Sequence, residues 1–144
     1  MCMKKTMNEV KPRWTERLKT FQNALNRLTD VINLRGQRPL NEYERDSLIK
    51  RFEFTYEMAW KLMMSYEKDN GILQILGSKD VVRHATNLSL IENGEAWMDM
   101  IDARSQTSHV YDEDTATDII DDIVHTFHPL LKELRNKMEK LCSD

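Results

Sequence analysis

The chain has 144 residues, enough for one domain with an unstapled core, and carries a net charge of −3. That balance argues against a dedicated duplex-DNA binder, which carries a basic surplus, and leaves room for a local basic pocket that grips one phosphate. Only four Gly and three Pro occur, too few turn formers for a many-stranded sheet, whereas the helix formers Leu, Met, Lys and Glu are common.

Apolar residues recur at helical spacing nearly throughout. The first helix is expected over about 12–31, where Trp14, Leu18, Phe21, Leu25 and Leu28 step by 4, 3, 4 and 3. Pro12 suits its first turn, where a missing N–H costs little, and the run Arg35–Gly36–Gln37–Arg38–Pro39 ends it. A second helix opens at Asn41, with Glu44 completing a capping box. Its stripe is Leu48, Phe52, Thr55, Ala59, Leu62 and Tyr66, and Asn70–Gly71 stops it.

A connector with apolar Ile72, Leu73, Ile75 and Leu76 leads to a short third helix, capped by Ser78 or Asp80 and running through Val81, Val82, Ala85 and Leu88. Asn93–Gly94 breaks the chain before a fourth helix that carries Trp97, Met100, Ile101 and Arg104 and ends near Ser108. The last helix is long, from about 114 to 141, with acidic residues at its start and basic ones at its end, as the helix dipole favours. Pro129 falls inside it, removes the bond to the His125 carbonyl and is expected to kink it. The sum is an all-α, antiparallel up-and-down helical bundle of about five helices, a single domain over 1–144 with its core over about 12–141.

Cys2 and Cys142 lie at opposite ends of the sequence and in no CxxC pair, which suggests free thiols in a reducing compartment. The N-terminal stretch is polar, with no apolar h-region, and no apolar run approaches the roughly 20 residues needed to span a bilayer. A cytoplasmic protein with no membrane association is expected.

Arg104 and His109, five positions apart at a helix end, suit phosphate chemistry. An Arg holds a phosphodiester through parallel N–H bonds and stays charged in the transition state. A His takes or gives a proton near neutral pH. Metal-free RNA cleavage needs a base, an acid and a cation, and one His cannot be base and acid at once, whereas a two-fold dimer joining two such segments supplies both. Spacing alone equally admits an Arg104 paired with Asp102 or another acid and a His109 that caps a carbonyl. Asp121, His125 and His128 share a helical face, but Pro129 disturbs that turn and no fourth ligand is evident, so a solvated face is the plainer reading and no metal site is assigned. The aromatic run Phe52–Glu53–Phe54–Thr55–Tyr56–Glu57–Met58–Ala59–Trp60–Lys61 could stack on bases, yet its helical spacing favours core and dimer packing. Within it Glu53, if buried, needs a partner such as an arginine or a neighbouring helix. No phosphate-cradling Gly loop is present and no cofactor is expected.

That aromatic run, Gly77–Ser78–Lys79–Asp80–Val81–Val82–Arg83, Asn93–Gly94–Glu95–Ala96–Trp97 and the segment from Arg104 to Glu113 together resemble, in order and spacing, the nucleotidyltransferase substrate-binding proteins grouped with the HEPN domains. The resemblance implies a homodimeric helical bundle and a partner, a minimal nucleotidyltransferase antitoxin. It implies a metal-independent RNase toxin with its active site across the dimer. Carried over, Arg104 stabilises the phosphate, His109 is general acid and base, and Tyr111 is the residue that the partner modifies with AMP. The alternative within the same family is a non-catalytic substrate-binding subunit of a two-component nucleotidyltransferase. The chain departs from the family pattern at Ser105, where many members carry Asn or another strong polar group. It lacks the paired carboxylates after Gly77–Ser78 that a nucleotidyltransferase needs for Mg²⁺, so it is not that enzyme itself.

Overall fold

The apolar stripes of the sequence bury along five helical rods in a computed structural model that describes residues 12–143. Residues 1–11 lie outside it, and with them the expectations made for Cys2 and for the polar N-terminal stretch. Helix α1 (Arg13–Arg35) opens one residue later than expected. Pro12 is its extended N-cap rather than part of the first turn, and the Pro12 carbonyl accepts from the Thr15 amide at 3.1 Å and the Thr15 hydroxyl at 2.7 Å. Helix α2 (Glu42–Asp69) begins in the expected capping box: the Asn41 side chain accepts from the Glu44 amide at 2.9 Å, and the Glu44 carboxylate accepts from the Asn41 amide at 2.8 Å.

Helix α3 (Ser78–Asn87) is preceded by Gly77 at φ 146°, a backbone setting that favours glycine over either expected cap. Asp80 instead accepts the Leu76 amide at 2.9 Å and ties the connector to the helix. Helix α4 (Gly94–Gln106) is capped by Asn93 and runs into a 3₁₀ turn, Thr107–His109. Helix α5 (Glu113–Asp122), a π turn (Ile123–Phe127) and helix α6 (His128–Ser143) form the final rod. The kink expected at Pro129 takes the form of this π turn, in which the His128 amide donates to the Ile123 carbonyl five residues back. The widened turn lets α6 restart with Pro129 in its first turn, where no N–H is required.

Helix α1 runs antiparallel to α2 and to the final rod. Trp14 meets Tyr66 edge-on at 5.5 Å, Gln22 donates to Glu139 at 2.7 Å, and Arg35 pairs with Asp121 at 2.7 Å. Phe52 of α2 stacks on Phe127 of the π turn at 5.7 Å. Leu18, Phe21, Phe52, Trp97, Met100 and Ile123 are fully buried at the centre. The thiol expectation is corrected for Cys142, which is disulfide-bonded. The reducing compartment inferred from free thiols thereby loses its basis. Among the described residues no helix is long and apolar enough to cross a membrane.

The face proposed for metal is dispersed. Asp121 is engaged by Arg35, His125 is exposed, and His128 is buried with its Nε2 2.8 Å from Thr29 Oγ1. The Thr29 proton goes to the Leu25 carbonyl at 2.8 Å, so His128 donates. Burial, with Lys132 and Arg135 adding to it, pushes the His128 pKa down to about 4. Glu67 is fully buried and its carboxylate has no hydrogen-bond partner among the described residues. Burial, then the charge of Asp80, raises its pKa to about 8.

These two groups load stability onto opposite sides of the pH scale. His128 takes a proton near 6.5 when unfolded but only near 4 when folded, so its contribution is complete above pH 6.5 and lost as pH falls towards 4. Glu67 titrates near 4.5 unfolded and near 8 folded, so its contribution is complete below pH 4.5 and lost as pH rises towards 8. Urea midpoints measured from acid to mildly basic pH are expected to show His128→Gln flattening the acid limb. Glu67→Gln is expected to gain on the wild type with rising pH, by about 1–3 kcal/mol, since each unit of pKa displacement is worth about 1.4 kcal/mol. A pH-independent difference for either variant contradicts the assignment.

Candidate functional site

The site forms where α4 gives way to the 3₁₀ turn and faces the middle of α2. Arg104 stands in the last turn of α4, a favourable place for a cation. Its Nη1 donates to Thr107 Oγ1 at 2.9 Å and lies 3.3 Å from Glu53 Oε2. Thr107 Oγ1 lies 2.6 Å from that same Glu53 oxygen and 2.7 Å from the Arg104 carbonyl, and its single proton serves one of them at a time. Thr107 is itself buried, so the knot is shielded on its inner side. Lys50, one turn before Glu53, reaches its other oxygen at 3.4 Å.

Glu53 therefore finds the arginine partner that a buried carboxylate needs. The Arg104 Nε is buried with no partner, and among the described residues its Nη2 has none either. The Arg104 side chain keeps 35% of its surface exposed, so an anion can reach the outer edge of the guanidinium.

His109 and Tyr111 follow on the exposed side of the turn. Their rings meet edge-on at 6.2 Å, and Tyr111 is 85% exposed. The Ser105 hydroxyl turns back to its own helix, 3.5 Å from the Ile101 carbonyl, and takes no part in the knot. The structure thus joins Arg104 to Glu53 and His109 to Tyr111, and leaves Ser105 aside. Thr107 is the residue that sequence reasoning missed. Its one signal was the spacing of three from Arg104, which places both on one helical face.

Next to the knot a groove of about 490 Å³ opens between α1, α2 and α4, with Arg27, Lys50, Arg51, Phe54 and Arg104 on its walls. On the other flank of α4 a groove of about 420 Å³ is lined by Asp99, Asp102, Asp118 and Asp122. Burial first, and then its acidic neighbours, raises the Asp122 pKa.

Residues 16–140 match the family described as nucleotidyltransferase substrate binding protein like, and the chain belongs to that family. A Haemophilus influenzae protein (strain ATCC 51907 / DSM 11121 / KW20 / Rd) named Probable ribonuclease HepT is 33% identical over 96 residues, 62% of this chain and 66% of that protein, just under two thirds of its length. Among solved structures, a Thermus thermophilus protein matches with a TM-score of 0.74 and 28% identity, over 82% of this chain and 98% of that one. A Haemophilus influenzae structure, described as revealing the fold of a substrate-binding domain of a nucleotidyltransferase, matches with a TM-score of 0.75 and 25% identity, over 85% and 98%.

The hydroxyl of Thr107 bridges Arg104 and Glu53, 2.9 Å from Nη1 and 2.6 Å from Oε2. Thr107→Val is expected to cost about 1–3 kcal/mol in a denaturant titration, because it leaves charged partners short of a hydrogen bond, and Thr107→Ser is expected to recover most of the loss. A Thr107→Val protein as stable as the wild type contradicts this role.

Proposed function

We propose that the chain is a metal-independent ribonuclease of the HEPN type, acting as a homodimer and neutralised by a cognate minimal nucleotidyltransferase. The observation that carries this reading is the anchored Arg104, held by Glu53 and Thr107 with an edge open to solvent, directly before the exposed His109 and Tyr111. The name of the Haemophilus relative supports it.

In this reading Arg104 grips a phosphodiester and offsets the charge that grows on its oxygens. His109 removes the 2′-OH proton, the 2′-oxygen attacks phosphorus, and the P–O5′ bond breaks. The leaving 5′-oxygen takes a proton from a second acid, the imidazole of the other copy. A 2′,3′-cyclic phosphate and a 5′-hydroxyl result. Tyr111 is open to modification, and an AMP group on its phenolic oxygen would place a bulky anion beside His109, where it repels RNA. This reading expects a cytoplasmic protein with neither a membrane nor duplex DNA as its partner.

A second reading, a non-catalytic substrate-binding subunit of a two-component nucleotidyltransferase, is favoured by the description of the Haemophilus structure. There Arg104 would hold a phosphate without cleaving it.

RNA digestion in excess EDTA separates the two. Arg104→Ala and His109→Ala, each checked for folding and dimer formation, are expected to lower cleavage at least about 100-fold. Equal cleavage by all three proteins, or none by the wild type, overturns the ribonuclease reading and leaves the binding subunit, to be tested by association with the nucleotidyltransferase.

A further inference from the structure

We infer that the groove beside Arg104 is a subsite for single-stranded RNA, in which Phe54 stacks on an unpaired base while Arg27 and Arg51 meet the phosphates flanking the one held by Arg104. The identity of the nucleic acid rests on the ribonuclease reading; the shape and charge of the groove do not.

Phe54 is 60% exposed, while Phe52, two residues earlier on the same helix, is fully buried. Lys50, Phe54 and Glu57 follow at i, i+4 and i+7 and so share the outer face of α2. Arg51 donates from Nη1 to the Arg27 carbonyl at 2.6 Å, which lays its guanidinium across the seam between α1 and α2. The space of about 490 Å³ is in the range of small-ligand sites and admits a nucleotide.

The two carboxylates of the groove are already engaged. Glu53 serves Arg104, Thr107 and Lys50, and Glu57 accepts from Trp60 Nε1 at 3.2 Å. Arg27 and Arg51 are left facing solvent or backbone, in a chain whose net charge is −3. An exposed aromatic ring among cations is the chemistry of a single-strand site: the ring takes a base and the cations follow the backbone. A duplex offers no free base face to the ring. The other copy of the chain, whose imidazole the ribonuclease reading brings to the phosphate at Arg104, borders the groove at that end rather than filling it. A two-fold contact centred on the groove would bring its cations against their own copies, and like charges opposed across an interface are unfavourable.

The test uses the full chain with His109→Ala, so that bound RNA survives, and a fluorescein-labelled single-stranded oligouridine read by anisotropy. Phe54→Ala is expected to weaken binding about tenfold and Phe54→Trp to preserve it. Arg27→Ala is expected to reduce the slope of log affinity against log salt by about 0.7. Binding of an RNA duplex should not respond to Phe54→Ala. The subsite is overturned if Phe54→Ala binds the oligouridine as tightly as its parent. It is overturned equally if that variant turns a dimer into a monomer in sedimentation, which would make the face an interface between copies. If binding depends on Phe54 yet the chain with His109 intact cleaves nothing, the subsite stands and the ribonuclease reading falls. If that chain cleaves and Phe54→Ala neither binds nor cleaves differently, the ribonuclease reading stands and the subsite falls. Absence of any RNA binding overturns both.

Discussion

Glu53 projects from the middle of α2 and holds together three groups from two separate parts of the chain: Lys50 on its own helix, Arg104 at the end of α4 and Thr107 on the turn beyond. With only 18% of its side chain exposed, this carboxylate has lost most of its hydration and must be repaid in hydrogen bonds. The groups that supply them are those that set the end of α4. Once Thr107 turns inward to reach Glu53, the chain tightens into 3₁₀ geometry, and the next residues, His109 and Tyr111, face outward. The contact that makes the site geometrically defined is therefore also the contact that makes a buried carboxylate tolerable.

The final rod answers a different constraint. Its apolar face has to stay against α1 and α2 along two lengths of helix, while Pro129 forbids an ordinary α-helical bond to the His125 carbonyl. A π turn inserts one extra residue per turn, restores a donor–acceptor pair between His128 and the Ile123 carbonyl, and keeps both Ile123 and Phe127 in the core. Phe127 then stacks on Phe52, one residue before Glu53. The face of α2 that is locked into the core and the face that carries the site are thus fixed together, and a rotation of α2 that released one would displace the other.

Most of the fold was legible because helical faces are written in residues three or four apart. The stripe from Trp14 to Leu28 and the capping box at Asn41 are local facts, and the structure keeps both. What was not legible depends on which helices become neighbours. Glu53 announced only that it needed a partner; Thr107, which shares its oxygen with Arg104, lies 54 positions away. The Cys142 disulfide was likewise not legible in a sequence that holds no CxxC pair. Phe54 was a case of an available signal passed over. It follows Phe52 by two residues, about half a turn around a helix, so the two rings had to face opposite ways.

Charge differs across α4, and under the proposed ribonuclease reading that arrangement would give a weakly acidic chain a way to receive a polyanion. Arg27, Lys50, Arg51 and Arg104 lie on the flank towards α2 with Glu53 and Glu57 among them, whereas Asp99, Asp102, Asp118 and Asp122 lie on the flank towards α5 with no cation among the described residues there. At physiological salt an approaching strand senses charges within about 8 Å, so the local flank governs the encounter and the net charge matters little. In that reading the acidic flank would repel the strand that the basic flank attracts. Burial, and after it the charges of Asp118, Asp121 and Asp99, raises the pKa of Asp122 on the acidic flank. In the proposed reading, steering by two opposed flanks would favour approach from the side on which Glu53 and Thr107 anchor the guanidinium of Arg104.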